Sequence, residues 1–151
     1  MKTTSHLVLL LCLLSLGSCT IFKKTPAEKT AEHTQQTSVI TDRKWKLVEL
    51  AGKPVPDKVN GKEPFILLQT KENHFSASGG CNGIGGTFEL QDHGRIKFNL
   101  GMSTMMACEH MEIENELKSA LSTADNYSLS GDDLSLNKAR MAPLARFKAV
   151  K

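Results

Sequence analysis

The stretch Ser78-Gly79-Gly80-Cys81-Asn82-Gly83-Ile84-Gly85-Gly86-Thr87 decides how the rest of this chain is arranged. It holds five of the eleven glycines and one of the four cysteines of the 151-residue chain. It lacks the Lys-[Ser/Thr] that ends a phosphate-binding loop, and an alternating segment follows it where such a loop needs a helix. Glycine and asparagine instead favour positive-φ positions and a close crossing of backbones. We therefore predict a bulge or sharp bend, where a sheet turns on itself.

Short segments of alternating or continuous apolar residues lie on both sides of this stretch and predict strands. They cover 44–50, 64–69, 73–78, 86–91, 95–100, 127–130, 134–136 and 144–150. In the fifth of them we expect Ile96, Phe98 and Leu100 to share the inner face, whereas 52–56 is expected to be irregular. One helix is predicted near 109–125 from its apolar stripe. The pattern predicts a β-rich fold, a small antiparallel sheet curled toward an open barrel, with the helix packed against it.

Acidic residues are concentrated in the N-terminal half of the predicted helix. They are Glu109, Glu112, Glu114 and Glu116. Because the helix dipole favours negative charge there, we expect a solvated acidic face, on which Glu114 pairs with Lys118 one turn later.

The N-terminus has the pattern of an export signal. Lys2 precedes an apolar run at 7–16 that is too short to span a bilayer, and small residues follow. Leu16-Gly17-Ser18-Cys19 resembles the lipobox of bacterial lipoproteins, in which cleavage occurs before a cysteine that then carries the lipid. This resemblance implies that residues 1–18 are removed and that Cys19 is lipidated. The segment that follows is polar and rich in threonine, so we predict that 19–41 form a flexible tether to a domain at 42–151.

Cys81 and Cys108 are the two cysteines left for the domain. A disulfide between them is favoured, because an exported chain matures in an oxidising compartment. Three alternatives stay open, namely a zinc site with His74 or His110, a cysteine nucleophile activated by His74, and two buried thiols.

Four methionines follow the strand at 95–100: Met102, Met105, Met106 and Met111. Thioethers are soft ligands, so in an exported protein such a cluster raises the possibility of a Cu(I) site. Methionine is more often an adaptable core residue, and this chain is poor in aromatics. We therefore expect these side chains to fill the core.

The residues of the domain resemble a known family, the META domain of HslJ-like proteins. The matching positions are Trp45, Gly80-Cys81-Asn82, Gly86, and Thr104-Met105-Met106-Ala107-Cys108 ahead of the helix. The resemblance implies a lipocalin-like topology, a setting in the bacterial envelope, and an association with heat-shock or antibiotic stress. It implies no established enzymatic activity.

Together these observations predict a non-enzymatic protein of the bacterial cell envelope, lipid-anchored in the outer membrane and facing the periplasm. Its role would be to support envelope integrity under stress by binding a protein or another envelope component. A carrier of a small apolar ligand and a lysozyme-inhibitor-like barrel are the alternatives. Lysines and arginines are scattered and the net charge is only +3, so no nucleic-acid partner is expected. No cofactor or metal is expected either.

Overall fold

The computed structural model describes residues 39–151. This part of the chain contains nine strands, one helix and a short 3-10 turn, joined by loops. The strands are β1 (Arg43–Leu50), β2 (Lys53–Pro54), β3 (Phe65–Gln69), β4 (His74–Ser78), β5 (Gly83–Gln91), β6 (Arg95–Ser103), β7 (Asn126–Ser130), β8 (Asp133–Asn137) and β9 (Ala145–Ala149). The helix is α1 (Glu112–Thr123), and the 3-10 turn is Lys71–Asn73. The predicted signal peptide, the lipidation of Cys19 and nearly all of the tether lie outside the described residues.

All strand pairings are antiparallel, and they form one curled sheet. The order is β2-β1-β3-β4-β5-β6-β7-β8-β9, and β9 pairs back onto β1, so the sheet forms a ring. The ring is weakest between β6 and β7, which share the single pair Arg95 and Asn126. Helix α1 joins these two strands and contacts β6. The prediction of a curled antiparallel sheet with one packed helix is confirmed.

Strands β1 and β2 form a hairpin. The expectation that 52–56 is irregular is therefore wrong for Lys53 and Pro54. Glu49 and Leu50 pair with Pro54 and Lys53. Ala51 and Gly52 both have positive φ, at 48° and 76°. Two positive-φ residues in a two-residue loop suit the twist of a hairpin, and proline is tolerated in such a short edge strand.

The glycine-rich stretch forms the predicted bulge. The register between β5 and β6 shifts between Ile84 and Gly86. A Cβ on Gly86 would lie 2.2 Å from the carbonyl oxygen of Asn99 and 2.7 Å from Cε1 of Phe75, so only glycine fits there. The expectation that Leu100 faces inward with Ile96 and Phe98 is wrong, because Leu100 is 42% exposed. Leu100 pairs with Gly86, which offers no side chain to cover it.

Large apolar side chains fill the interior of the ring. Trp45, Phe88 and Phe147 are each at most 2% exposed, and nine leucines and isoleucines are equally buried: Leu47, Leu50, Ile66, Leu68, Ile96, Leu117, Leu121, Leu134 and Leu136. Trp45 Nε1 donates a hydrogen bond to the carbonyl oxygen of Ile40 at 2.8 Å. Ile40, which lies two residues before the predicted start of the domain at residue 42, is therefore part of the packed core. A water-sized cavity beside these side chains would leave them measurably exposed, so the ring interior they form is occupied by the protein itself.

Candidate functional site

Asn82, the residue directly before β5, is the centre of a buried polar network, which we name the Asn82 clasp. Its backbone N–H donates to Oε2 of Glu114 at 2.5 Å, and its Nδ2 donates to Oε1 of Glu114 and to the carbonyl oxygen of Met106, both at 3.0 Å. Its Oδ1 accepts from the Thr104 hydroxyl at 2.9 Å and from the N–H of Met106 at 2.7 Å. One side chain thus ties the glycine-rich stretch to helix α1 and to the loop before it.

The prediction of a solvated acidic face is wrong for Glu114, because its side chain is fully buried. The predicted pair with Lys118 is present, with Nζ 3.0 Å from Oε1. Burial raises the pKa of Glu114, but the hydrogen bonds from Asn82 and Lys118 outweigh burial and hold its pKa below the ordinary value of 4.5. The signal was present in the sequence, since Glu114 lies three and seven residues before Leu117 and Leu121 and therefore on the apolar stripe.

A disulfide joins Cys81 and Cys108, with their Cα atoms 6.1 Å apart. It bridges the residue before Asn82 to the loop 104–111, which connects β6 to α1. Asn60 also holds this loop, because its Nδ2 donates to the carbonyl oxygen of His110 at 2.9 Å and its Oδ1 accepts from the N–H of His110 at 3.2 Å. The loop is therefore fixed to the body of the domain at several points.

The histidines considered for zinc or for thiol activation lie beside glutamates. His74 Nε2 is 3.4 Å from Glu72, and His110 Nδ1 is 3.3 Å from Glu112. Both cysteine sulfurs are used by the disulfide. Within residues 39–151 no group of three or more His, Cys, Asp or Glu side chains is placed to hold a metal ion.

The other residues that match the family pattern lie where packing or backbone conformation restricts the side chain. Trp45 lies in the core, and Gly86 lies at the bulge. Gly80 has a φ of 108°, and a Cβ there would lie 2.5 Å from Cβ of Val59. The clasp brings the other members together: Cys81, Asn82, Thr104, Met106 and Cys108.

Gly79 allows helix α1 to approach the sheet closely. A Cβ at this position would lie 2.4 Å from Cα and 2.6 Å from the backbone nitrogen of Glu114. We expect Gly79→Ala to lower the free energy of unfolding by about 2 kcal/mol, because backbone atoms must move apart to admit the methyl group. Urea unfolding monitored by tryptophan fluorescence measures this change.

Gly83→Ala is the matched control for this prediction. Gly83 belongs to the same glycine-rich stretch, but a Cβ there has no heavy atom within 4 Å. The control should unfold at the same urea concentration as the parent chain or a slightly higher one. Equal midpoints for the two variants would contradict the close contact between Gly79 and the helix.

The prediction that the methionines fill the core is wrong for three of the four. Met102, Met105 and Met106 are 91%, 96% and 50% exposed, whereas Met111 is half-buried. The reason is that aromatic and leucine side chains already fill the ring. The backbone of Met106, and not its side chain, is what holds this residue in place.

Two adjoining concavities lie beside the clasp, and we name them together the surface groove. The first has a volume of about 720 Å³, and Gly86, Leu100 and Gly101 are among its lining residues. The second has a volume of about 590 Å³ and is lined by Phe65, Ser76 and Thr104 among others. Gly85 and Met102 line both concavities. The groove is open and shallow because glycines line it.

Fold and site together define a class of small domain, a ring of antiparallel strands with a helix clasped to it through an asparagine, a buried glutamate and a disulfide. The model of the META domain matches residues 38–151, and the chain belongs to the META domain family.

Solved structures share the fold. An NMR structure of a protein from Burkholderia xenovorans is 25% identical, with a TM-score of 0.60 and coverage of 76% of this chain and 86% of the other. A crystal structure of a DUF4847 family protein from Bacteroides vulgatus is 17% identical, with a TM-score of 0.54 and coverage of 74% and 95%. Another NMR structure is 23% identical, with a TM-score of 0.57 and coverage of 74% and 92%. No curated protein matches this chain.

No helix within residues 39–151 is long and apolar enough to cross a bilayer.

Proposed function

We propose that this protein is a non-enzymatic, lipid-anchored component of the bacterial cell envelope that supports envelope integrity under stress. It acts by binding a protein partner in the surface groove. The lipobox-like sequence at Leu16–Cys19 supports the anchor. Binding through the groove rests on the structure of the domain.

The single observation that carries the proposal is an open apolar concavity at the surface of a domain whose core side chains are fully packed. Gly85 and Met102 join the two parts of the groove, and Leu100 is an exposed large apolar side chain at its wall. Contiguous exposed apolar surface is typical of binding sites, whereas scattered exposed apolar residues are ordinary. The clasp supports the groove from behind, because Thr104 both lines the groove and donates to Asn82.

The filled interior weakens the alternative of an apolar-ligand carrier. Such a carrier needs a cavity of several hundred cubic ångströms inside the ring. The positions that would line it are held by Trp45, Phe88 and Phe147, which are almost completely shielded from solvent. A ligand would have to bind in the surface groove, which is open to solvent.

The test is site-specific photo-crosslinking in intact cells that produce the full chain. A photoactivatable residue replaces Leu100 at the groove, and Gly85→Val fills the groove between its two parts. A Cβ at Gly85 makes only ordinary contacts, 3.5 Å from the carbonyl oxygen of Met102, so the fold should tolerate the valine. We expect one discrete crosslinked protein from Leu100, and about tenfold less of it in Gly85→Val.

Ser128→Val is the matched control, because it adds the same side chain at an exposed position of β7 away from the groove. It should leave the crosslink unchanged. Cys19→Ser, which removes the predicted lipid attachment, should shift the protein out of the membrane fraction. A crosslink that persists equally in Gly85→Val would contradict binding in the groove, and membrane retention of Cys19→Ser would contradict the anchor.

A further inference from the structure

We propose that Met102, Met105 and Met106 form a binding site for Cu(I), with their thioether sulfurs as the ligands. The inference goes beyond the proposed function and does not depend on it. It starts from the placement of three exposed methionines within five consecutive positions, at the end of β6 and in the loop that follows.

The exposure of these side chains forgoes stability that burial would provide. Burial of one methionine side chain stabilises a protein by about 1.5–3 kcal/mol, and Met102 and Met105 forgo nearly all of that. A single exposed apolar residue is ordinary, but a cluster in one short segment is a distinct surface feature. The structure therefore keeps three soft sulfur atoms in solvent where a core position would be more stabilising.

The backbone that carries these methionines is fixed on both sides. The N–H of Thr104 donates to the carbonyl oxygen of Gly83 at 3.2 Å, and the N–H of Met106 donates to Asn82 Oδ1 at 2.7 Å. The Cα atoms of Met105 and Met106 are about 3.8 Å apart, and Met102 is within about 10 Å of Met105 along the chain. Long, unbranched side chains at such separations can bring their sulfurs to one ion while the backbone stays in place.

The chemistry of the donors selects the ion. Thioethers are soft, neutral ligands that favour Cu(I) over hard ions such as Mg²⁺ or Ca²⁺. The domain's two cysteines are joined in the disulfide, so no thiolate of residues 39–151 competes for the ion. Binding needs no change of oxidation state, because the ion arrives and leaves as Cu(I), and the thioethers release no proton.

The test measures Cu(I) affinity anaerobically, by competition with a chromophoric Cu(I) chelator, on the full chain in detergent. Cys12→Ser and Cys19→Ser are present throughout, because these thiols would bind Cu(I) themselves. We expect measurable binding of one ion, and at least about tenfold weaker binding when Met102, Met105 and Met106 are all replaced by leucine. Leucine keeps the size and apolar character of the side chain and removes only the sulfur.

Met141→Leu is the matched control, because Met141 is also an exposed methionine, at 68%, but lies far along the chain from the cluster. It should bind Cu(I) as the parent does. In a chain with ¹³C-labelled methionine methyl groups, Ag(I), a redox-inert substitute for Cu(I), should shift the signals of the three clustered residues and leave that of Met141 in place.

Four results would overturn the proposal. Two concern affinity: the parent chain does not bind Cu(I), or the triple leucine variant binds it as tightly as the parent. The third is an Ag(I) shift at Met141 as large as those of the three clustered methionines. The fourth is loss of Cu(I) binding when His74, His93 and His110 are replaced by asparagine. If the triple variant fails to fold, Met105→Leu alone decides, since that side chain is 96% exposed. Gly85→Val keeps all three sulfurs, so it separates this site from partner binding in the groove.

Discussion

Replacing Asn82 by aspartate should lower the free energy of unfolding by about 4 kcal/mol, the largest effect of any single isosteric change in this domain. The new carboxylate would lose the hydrogen bonds that Nδ2 donates to Glu114, to the carbonyl oxygen of Met106 and, at 3.4 Å, to Cys81 Sγ. It would also place a second negative charge about 3 Å from the buried carboxylate of Glu114. Urea unfolding at neutral pH, followed by the fluorescence of Trp45, measures the loss.

The pH dependence of this loss distinguishes charge repulsion from simple loss of packing. In the parent chain Glu114 has a lowered pKa, so its contribution is complete above its unfolded value near 4.5 and is lost as the pH falls through the lower folded value. In Asn82→Asp the two carboxylates raise each other's pKa, so the folded variant takes up a proton more readily. The difference between the two chains should therefore begin to shrink above pH 4.5, as the pH falls through the raised pKa of the variant's carboxylates, and should keep shrinking below that pH as the parent loses its own contribution.

Asn99→Asp is the matched control. Asn99 Nδ2 also donates to a glutamate, Oε1 of Glu89 at 3.1 Å, but this pair lies on the surface of β5 and β6. Because water screens exposed charges, the control should cost about 0.5 kcal/mol. A similar loss in both variants, or a loss in Asn82→Asp that does not change with pH, would contradict the electrostatic role of the clasp.

The sequence predicted the strands well because most of them alternate in a simple way. Periodicity of two, with an aromatic or leucine at each inner position, reads directly as a half-buried strand, as in the segment around Trp45. The bulge was predictable too, since Gly86 stands where no side chain fits. Leu100 was not, because its exposure depends on which residue of the neighbouring strand lies opposite it.

The clasp shows why the candidate site was harder to predict. Cys81 and Cys108 could be paired by counting, but the five hydrogen bonds of Asn82 depend on a loop that closes across more than twenty residues. Glu114 was assigned to solvent by its charge, although its position on the apolar stripe indicated burial. Lys118 is a local partner and was predicted, but Asn82 lies 32 residues away in sequence, so no local pattern indicates that contact.

The methionines are the converse case: the sequence analysis expected them in the core, and three of them are exposed. Composition argued that a chain poor in aromatics would use methionine in its core, and the argument is sound for an average domain. Here Trp45, Phe88 and Phe147 with the leucines already occupy the ring. Whether Met105 is inside or outside depends on the total volume of a core assembled from distant strands, which no local window contains.

Removal of the disulfide should have the second-largest effect. We expect the double variant Cys81→Ser, Cys108→Ser to lose about 3.5 kcal/mol of unfolding free energy, because the cross-link constrains a loop of 27 residues in the unfolded chain. The hydrogen bonds of the clasp remain available to the variant, so it should fold with a lower urea midpoint and a similar slope. Equilibrium unfolding with and without a reductant measures both quantities.

The reductant supplies the control that a serine substitution lacks. Reduced parent chain should unfold at the same urea concentration as the double variant, and the double variant should not respond to reductant at all, since nothing in its domain remains to be reduced. Thiol titration of the unfolded, unreduced chain should find neither Cys81 nor Cys108 reactive. A parent midpoint that reductant leaves unchanged would show that the clasp holds the loop 104–111 without help from the disulfide, because the cross-link would then contribute nothing to stability beyond the Asn82 hydrogen bonds.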